Sequence, residues 1–416
     1  MTKHGDADRA PRILCVADEW PWPERSGYRI RLANVLRGLA RLGSVDLLVL
    51  HGERDGTPSD VAVPSGEPVA SVRTAPLPAP VRTRAGLVSW WRGDLPRRVA
   101  WRDWSAARAA VGAAVQDGYD LVWWSHLDTW IVLGDRSTVP AIVDLDNLED
   151  EWLAGRRGLG RRGRRASWPR AAIAAGLDAI DAGRWRRWQD RAAARAATAL
   201  VCSEEDRVRL GGSRVRVVAN GYATPSRPVG HPERAVPEDG GVVAFVGLQT
   251  YAPNVDAARF LVEEVLPRLR EVRPAVTVRL IGRPGPEVDR LRGPGVEVLG
   301  EVADLDAALA AADLVAVPVR FGGGTRIKVL EAMAHRIPIV STSLGCAGLG
   351  LRGEVEVTIA DDATSFAAAC LRLLADRDLR IARTTAAAAV HAARFEWTVI
   401  AEDVVGIARD ALTVPA

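Results

Sequence analysis

The chain alternates short β-branched runs with longer helical patterns, and it repeats this alternation in two series. This is the feature that most constrains the fold. The first series predicts seven strands, at residues 12–17, 45–50, 71–74, 121–124, 141–145, 199–202 and 215–218. Between the first two lies the amphipathic stretch 28–42, a predicted helix. Strands separated by helices indicate βαβ units and a parallel sheet.

A second series follows the proline-rich stretch 224–240, which has the composition of a linker. Its predicted strands are residues 242–246, 277–281, 296–299, 314–317 and 337–341, and its predicted helices are 253–273, 305–311 and 325–335.

Two such series predict an α/β protein with two facing, doubly wound, Rossmann-like parallel-sheet domains, 1–222 and 223–395. Ligands of such sheets bind at the carboxyl ends of strands, so the cleft between the domains is the expected site. The last predicted helix, at about 396–412, is a candidate for packing back on the first domain.

Composition excludes several classes of protein. The 416 residues are 48% hydrophobic and 26% charged, which is ordinary for a globular chain of two or three domains. No stretch approaches the roughly 18 apolar residues of a membrane span. The polar residues 1–11 lead straight into the first strand, so we expect no secretory signal. We expect a cytoplasmic protein, with contact at the inner membrane face as a second option.

Three consecutive glycines, residues 322–324, precede Lys328, one of only two lysines in the chain. Glycines allow close approach to the backbone, free N–H groups at a helix start attract anions, and a lysine is a compact point charge. This combination predicts a phosphate-binding loop. A solvated lysine beside a glycine-rich strand-to-helix turn would give the same pattern.

Lys328 and Glu331 are three residues apart on the predicted helix, so they share a face. A carboxylate there can accept hydrogen bonds from a vicinal diol, and the pair therefore fits the diphosphate and ribose of a nucleoside diphosphate. An ordinary helix ion pair is the alternative. A P-loop is excluded because Thr325 precedes the lysine, and residues 17–19 after the first strand lack the G-x-G-x-x-G of dinucleotide-binding domains.

Longer motifs occur in the order typical of a known enzyme family. They are residues 245–256, 280–283, 298–302, 322–334 and 337–345, with looser matches at Ser26-Gly27, His126, 203–206 and 218–221. On these motifs the chain resembles the retaining glycosyltransferases of family 4, in a glycine-triplet variant. The resemblance implies the two-domain GT-B fold. It also implies metal-independent transfer of a sugar from a nucleotide-diphosphate sugar to an acceptor hydroxyl, with no cofactor.

The resemblance also implies roles for single residues. Glu331 would hold the ribose of the donor, and His126 would touch the donor sugar. The other implied donor-site residues are Gly247, Arg283, Val302, Gly322, Gly323, Gly324 and Thr325. We add Arg326 and Lys328 as the cations that neutralise the leaving diphosphate, because it needs positive charge and no other basic residue is as well placed.

On the acceptor side, the resemblance implies Ser26 and Gly27. Asp146 and Asn147 follow a predicted strand and are expected to reach the acceptor. The D-x-D strings at 144–146 and 304–306 could also arise by chance or bind metal, and Asp304 has the position of a helix cap. We predict no metal site.

Two departures from the family pattern affect the donor site. The family often has a second glutamate eight residues before the one matching Glu331, where this chain has Gly323. It also often has an arginine and a lysine soon after the first strand of the donor domain, where this chain has Leu248 and Pro253-Asn254. The contacts to the donor sugar therefore stay open.

Tryptophan and arginine concentrate in residues 90–92, 101–104, 156–165 and 184–188. Such segments can stack on bases or sugars or lie at an anionic membrane, or they can be solvated helix faces with tryptophans turned to the core.

The expected partners are a UDP-, GDP- or dTDP-type nucleotide sugar and a lipid-linked, polysaccharide or small-molecule acceptor, with no specific nucleic acid. Two alternatives remain, a nucleotide-sugar epimerase of the same fold and a non-catalytic binding protein using its arginine- and tryptophan-rich segments.

Overall fold

A computed structural model describes residues 9–51, 63–81, 83–135, 138–155, 168–323 and 326–413. The chain divides into two compact units. Within the described residues, the first unit contains 9–220, Gly323 and 398–413, and the second contains Gly221–Gly322 and 326–397. Each unit is built on its own parallel sheet, which confirms the predicted α/β class with two doubly wound sheets.

The sheet of the first unit consists of β1 (Arg12–Ala17), β2 (Ser44–His51), β3 (Ser71–Pro76), β6 (Leu121–Trp124), β7 (Ala141–Asp144), β8 (Thr198–Val201) and β9 (Val215–Val217). Its order is β3-β2-β1-β6-β7-β8-β9, and every pair is parallel. Ile13 of β1 pairs with Val45 on one side and Leu121 on the other. A separate antiparallel pair joins β4 (Ala79–Pro80) to β5 (Arg102–Asp103). The central strands are buried apolar runs, as expected where helices cover both faces.

The helices of the first unit are Gly27–Leu39, Thr83–Arg92, Arg97–Ala100, Ser105–Val115, Leu127–Thr129, the π-helix Trp130–Gly134, residues 149–155, Trp168–Arg195 and Glu204–Leu210. The C-terminal helix Trp397–Thr413 joins this unit from Thr398 onward. There Arg41 pairs with Glu402 at 2.7 Å. A Cβ placed on Gly38 would lie 3.1 Å from Val404, so the glycine lets the two helices approach closely. Among the described helices, none is both long enough and apolar enough to span a bilayer.

The sheet of the second unit consists of β10 (Val242–Val246), β11 (Thr277–Ile281), β12 (Val296–Gly300), β13 (Leu314–Val317), β14 (Ile339–Ser341) and β15 (Thr358–Ile359). Its order is β12-β11-β10-β13-β14-β15, again with parallel pairs. The strand predicted at 337–341 begins only at Ile339, because Pro338 has no N–H to donate to a ladder.

The helices of the second unit are Ala252–Arg259, the π-helix Phe260–Val265, Leu266–Val272, Pro286–Asp289, Leu305–Ala310, Ile327–Ala334, the 3₁₀ turn Leu344–Cys346, Ala363–Ala375 and Arg377–Arg394. The helix predicted over 253–273 is thus interrupted by a π-helical turn. The helix predicted to start at 325 starts at Ile327, because Arg326 has the non-helical torsions φ −86° and ψ 45°.

A buried ion pair ties the first helix of the first unit to its sheet. Arg31 donates through Nε and Nη2 to both carboxylate oxygens of Asp144 at 2.8 Å, and through Nη1 to the carbonyl of Val218 at 3.0 Å. Both charged side chains are at most 3% exposed. Asp144 therefore has a structural role in the core of the unit. This accounts for one of the two aspartates in the D-x-D string at 144–146.

Most tryptophans of the arginine- and tryptophan-rich segments belong to the core. Trp90, Trp104, Trp185 and Trp188 are all buried. The guanidinium of Arg184 lies 4.5 Å from the centre of the Trp90 ring. Trp91 and Trp101 are the exceptions among the described residues, because 70% and 36% of them are exposed. Segment 156–165 lies outside the described residues.

Candidate active site

The strand order of each sheet reverses between two neighbouring strands. In the second unit the chain runs from β10 outward to β12 on one side, and from β13 outward to β15 on the other. In the first unit, β1 and β6 are related in the same way. The loops that leave two such strands border a crevice where ligands of open α/β sheets bind. Several of the predicted site residues lie on these loops.

In the second unit, Lys328 connects the loop after β10 with the helix after β13. Its Nζ lies 2.9 Å from Oδ1 of Asn254, and Nδ2 of Asn254 donates to the carbonyl of Leu248 at 2.9 Å. Nζ also lies 5.5 Å from the centre of the Phe245 ring, within cation–π range. The lysine is the second residue of the helix Ile327–Ala334. Its ammonium is therefore positioned by contacts from β10 and from the helix Ala252–Arg259.

Two of the predicted glycines make this arrangement possible. A Cβ on Gly247 would lie 2.8 Å from Nδ2 of Asn254, and a Cβ on Gly322 would lie 2.8 Å from Pro253. Gly322 also has φ +102°, in the left-handed region that favours glycine. Any larger residue would push apart the loop after β13 and the start of the helix Ala252–Arg259.

Glu331 lies one turn beyond Lys328 on the same helix and is 6% exposed. Burial raises the pKa of Glu331 to about 7, although a hydrogen bond from the Tyr222 hydroxyl and the charge of Lys328 oppose the change. Tyr222 is itself anchored, because its N–H donates to the carbonyl of Phe395 at 3.0 Å and its carbonyl contacts Nε2 of His391 at 3.0 Å. The carboxyl thus has a fixed tyrosine partner.

Burial and the nearby charge of Arg326 lower the pKa of Lys328 to about 8, against the effect of Glu331. Arg326 donates through Nη2 to the carbonyl of Gly322 at 3.4 Å. Two cations and one carboxylate are therefore electrostatically coupled over six residues of chain. The group can offer positive charge to a diphosphate and hydrogen-bond acceptors to a diol.

The other predicted donor-site residues are less tightly connected. Arg283 is exposed, and its carbonyl accepts from the N–H of Gln249 at 3.1 Å. Val302 is half-buried just after β12. Among the described residues, neither Arg283 nor Val302 hydrogen-bonds to the Lys328–Glu331 group. Gly323 follows Gly322 in the loop, whereas Gly324 and Thr325 lie outside the described residues.

In the first unit, His126 follows β6 and meets a carboxylate that follows β1. Nδ1 of His126 lies 2.7 Å from Oδ1 of Asp18. The same oxygen accepts from the hydroxyl of Tyr28 at 2.9 Å, and that hydroxyl lies 2.7 Å from Oγ of Ser125. The rings of Tyr28 and His126 stack with centres 4.2 Å apart and planes 22° apart. The imidazole is held both at its edge and across its face.

The charges of this cluster support one another. Burial alone would lower the pKa of His126, but the Asp18 carboxylate outweighs it and raises the pKa to about 9. Burial raises the pKa of Asp18, yet the charge and hydrogen bond of His126 bring it down to about 2. At neutral pH the pair is an imidazolium and a carboxylate, and the imidazolium can donate from Nε2 while Nδ1 faces Asp18.

Sequence reasoning missed Asp18, Tyr28 and Tyr222. The position of Asp18 could have identified it as a site residue. It is the first residue after a predicted strand, where ligand-binding side chains of α/β sheets concentrate. We interpreted residues 17–19 only as a failure to match a dinucleotide-binding motif. The partnership of Tyr222 with Glu331 joins positions more than 100 residues apart, and no local pattern indicates it.

The predicted acceptor-side residues have local structural partners. Oγ of Ser26 accepts from the N–H of Arg29 at 3.3 Å and so caps the helix that begins at Gly27. Asp146 accepts from Nδ2 of Asn220 at 3.1 Å, and Nδ2 of Asn147 lies 3.5 Å from the other oxygen of Asp146.

Among the described residues, no group of three or more His, Cys, Asp or Glu side chains has an arrangement that could hold a metal ion. Asp304, from the second D-x-D string, caps the helix Leu305–Ala310 by accepting from the N–H of Ala307 at 2.9 Å. The capping role predicted for Asp304 is confirmed.

Comparison with known proteins finds similarity to glycosyltransferases. Residues 240–376, which contain the Lys328–Glu331 group, match the family model described as glycosyl transferases group 1. A phosphatidyl-myo-inositol mannosyltransferase of Mycobacterium leprae is 28% identical over 230 residues, which cover 53% of this chain and 60% of that relative. The match therefore spans less than two thirds of the mannosyltransferase. A D-inositol 3-phosphate glycosyltransferase of Acidothermus cellulolyticus is 27% identical over 428 residues, covering 94% of this chain and 86% of that relative.

A solved structure extends the likeness to the whole fold. HepE of Anabaena, crystallised in complex with UDP and glucose, superposes with a TM-score of 0.59 at 17% identity, covering 96% of this chain and 99% of its own. Residues 240–376 thus carry a group 1 glycosyltransferase domain, and the chain as a whole has the fold of GT-B glycosyltransferases.

Proposed function

We propose that the chain transfers a sugar from a nucleoside-diphosphate sugar to an acceptor hydroxyl, with retention of anomeric configuration and without a metal ion. In this proposal residues 223–395 form the donor domain and residues 1–222 the acceptor domain. Support for a nucleotide-sugar donor comes from HepE, which was solved with UDP and with UDP-glucose.

The observation that carries the proposal is the shared helix face of Lys328 and Glu331. The ammonium of Lys328 is oriented by an amide oxygen of Asn254, which is neutral and leaves its positive charge in place. A diphosphate could take the place of that oxygen as partner of the ammonium. The carboxylate of Glu331, one turn deeper, would accept hydrogen bonds from the two ribose hydroxyls, and Tyr222 would keep it oriented.

The same cations suit the chemistry of the transfer. The bond between the anomeric carbon and the phosphate oxygen breaks, and the acceptor oxygen bonds to that carbon on the same face of the sugar. Negative charge develops on the departing diphosphate, where Arg326 and Lys328 would stabilise it. The departing phosphate oxygen takes the proton of the acceptor hydroxyl, so no side-chain base is needed.

Asp18, Tyr28, Ser125 and His126 form a cluster in the first unit, and its imidazolium would donate a hydrogen bond to the sugar of the nucleotide sugar. Its imidazolium is fixed at Nδ1 by Asp18 and across the ring by Tyr28. An N–H that needs no reorientation during the reaction stabilises developing charge more effectively than a mobile one. In this role Asp18 is a positioning residue, because it acts through the histidine.

Isothermal titration calorimetry with UDP, GDP and dTDP would test the donor site and identify the base. We expect one of the three to bind, and Glu331→Ala to weaken that binding by about tenfold or more, because two hydrogen bonds to a charged acceptor are lost. Glu271→Ala, which alters an exposed glutamate of the same unit, is the matched control. If Glu331→Ala and the unmutated protein bind the nucleotide with equal affinity, Glu331 does not bind the ribose hydroxyls.

A further inference from the structure

The N-terminal half of the helix Trp168–Arg195 exposes an apolar face. From 172 to 183, every exposed residue is alanine, glycine or isoleucine. Ile173 is 62% exposed and Ile180 is 42% exposed. The two aspartates of this stretch, Asp178 and Asp181, are buried and paired with Arg97 at 2.5 and 3.5 Å. A helix face in water normally carries charged or polar side chains, and this one has none.

The neighbouring helix Thr83–Arg92 adds larger apolar groups. Leu87 is 43% exposed, Val88 is 50% exposed and Trp91 is 70% exposed. Trp90, by contrast, is fully buried on the opposite side of the helix, and its Nε1 donates to Asp181 at 3.1 Å. That contact fixes the helix Thr83–Arg92 against the helix Trp168–Arg195. The exposed apolar side chains are therefore held outward by a packed interior.

Positive charge accompanies these apolar groups. Arg84, Arg92 and Arg187 belong to the same two helices, and all three are exposed. In the part of the chain that the structure describes, none of these three arginines forms an ion pair. Among the described residues, two exposed carboxylates lie near them in sequence: Asp94, two residues beyond Arg92, and Asp190, three residues beyond Arg187 and paired with Arg186. The surface therefore combines exposed cations with aliphatic and aromatic side chains.

We propose that this surface docks on an anionic lipid bilayer. We name it the apolar–arginine surface and define it as Arg84, Leu87, Val88, Trp91, Arg92, Ile173, Ile180 and Arg187. Tryptophan and branched aliphatic side chains enter the boundary between headgroups and acyl chains, and arginines beside them bind anionic headgroups. A second copy of the chain meeting the same surface would bring like charges together, so an anionic bilayer is the better complement.

Vesicle co-sedimentation of the full chain tests the proposal. Vesicles of phosphatidylcholine alone are compared with vesicles that also contain phosphatidylglycerol, at low and at high salt. We expect binding to the anionic vesicles that decreases at high salt. The double variant Val88→Ser with Trp91→Ser should bind about tenfold more weakly, and so should Arg84→Glu with Arg92→Glu.

Val208→Ser is the control, because Val208 is 69% exposed on the helix Glu204–Leu210 of the same unit but carries no part of this surface. It should bind as the unmutated chain does. All substituted positions are exposed, so thermal unfolding midpoints should be unchanged in every variant. Donor-nucleotide affinity should be unchanged too, which separates this proposal from the proposed function.

Three outcomes would overturn the proposal. The first is equal binding to neutral and anionic vesicles without salt dependence. The second is binding by both double variants at the level of the unmutated chain. The third is absence of vesicle binding together with a dimer, seen by sedimentation velocity, that Trp91→Ser dissociates; this result would assign the surface to contact between copies.

Discussion

The ammonium of Lys328 lies 2.9 Å from the side-chain oxygen of Asn254, so the helix Ala252–Arg259 orients the cation carried by the helix Ile327–Ala334. The family resemblance leads one to expect cationic residues soon after β10, in the segment that includes Asn254. Here an amide takes that place and accepts from the lysine. The amide orients the ammonium without neutralising it, and the proposed donor site has one half-buried lysine with Arg326 beside it.

Replacing Lys328 by methionine should abolish most turnover and leave the fold intact. Removing a cation from a site where charge develops lowers kcat by about 10²-fold or more. The half-buried ammonium is partly desolvated at a cost, so the thermal unfolding midpoint should stay the same or rise. Arg259→Met, at a position 54% exposed on the helix Ala252–Arg259, is the control for loss of a surface charge. Full activity of the Lys328 variant would refute the role of the lysine.

Affinity for nucleoside diphosphate should fall as the pH rises through about 8. Burial and Arg326 lower the pKa of Lys328 to about 8, so above this pH the free protein increasingly holds a neutral amine. At about pH 9 only about one tenth of the sites keep the charge, and affinity should be up to about tenfold lower than at pH 7. Calorimetry at the two pH values measures this. Lys328→Arg stays charged, and ionisation of Glu331, whose pKa is about 7, only makes that carboxyl a better acceptor for the ribose, so the affinity of this variant should not fall between them. A parallel loss in that variant would point to another titrating group.

Replacing Asp18 by asparagine should lower the pKa of His126. The carboxylate is what overcomes burial and brings that pKa to about 9. Without its charge, the value should fall to about 6.5 or below. Nitrogen-15 NMR titration of the imidazole reports it directly, and the pH profile of kcat should shift in the same direction. Glu19→Gln, which removes the partner of Arg29, is the control. An unchanged His126 titration would mean that Asp18 does not set its charge.

Sequence patterns located most strands of both sheets but could not pair them. Residues 12–17 and 121–124 were predicted as strands with the bounds that β1 and β6 have. That the two strands are neighbours depends on the order in the sheet, which no local pattern contains. Asp18 and His126 are 108 residues apart, and only this pairing brings them together. A role for His126 was thus accessible through the family resemblance, whereas its partner Asp18 was not.

The parts of the fold that were not predicted have local causes. The strand Thr358–Ile359 has two residues, which is too short for any periodicity to be visible. The helices Ala363–Ala375 and Arg377–Arg394 are rich in alanine, which is neither strongly apolar nor polar and so blurs the helical pattern. In the donor site, the Lys328–Glu331 spacing predicted a shared face, whereas the contact from Asn254 required tertiary structure.

Replacing Asp144 by asparagine should destabilise the first unit strongly. The substitution keeps the shape of the side chain but leaves the buried Arg31 guanidinium without its carboxylate. An uncompensated buried charge costs about 3–5 kcal/mol of unfolding free energy. Urea denaturation followed by tryptophan fluorescence measures this. Asp190→Asn breaks an exposed pair with Arg186 and should change the value by less than about 0.5 kcal/mol. A similarly small change for the Asp144 variant would show that this pair is not a main support of the unit.

The central claim is that a nucleoside diphosphate binds on the face of the helix Ile327–Ala334 that carries Lys328 and Glu331. A crystal structure with the nucleotide that binds best tests it most directly. The account predicts a phosphate oxygen within hydrogen-bond distance of Nζ of Lys328, and both ribose hydroxyls on the carboxylate of Glu331. A nucleotide bound elsewhere, with Lys328 still on Asn254 and Glu331 still on Tyr222 alone, would contradict it.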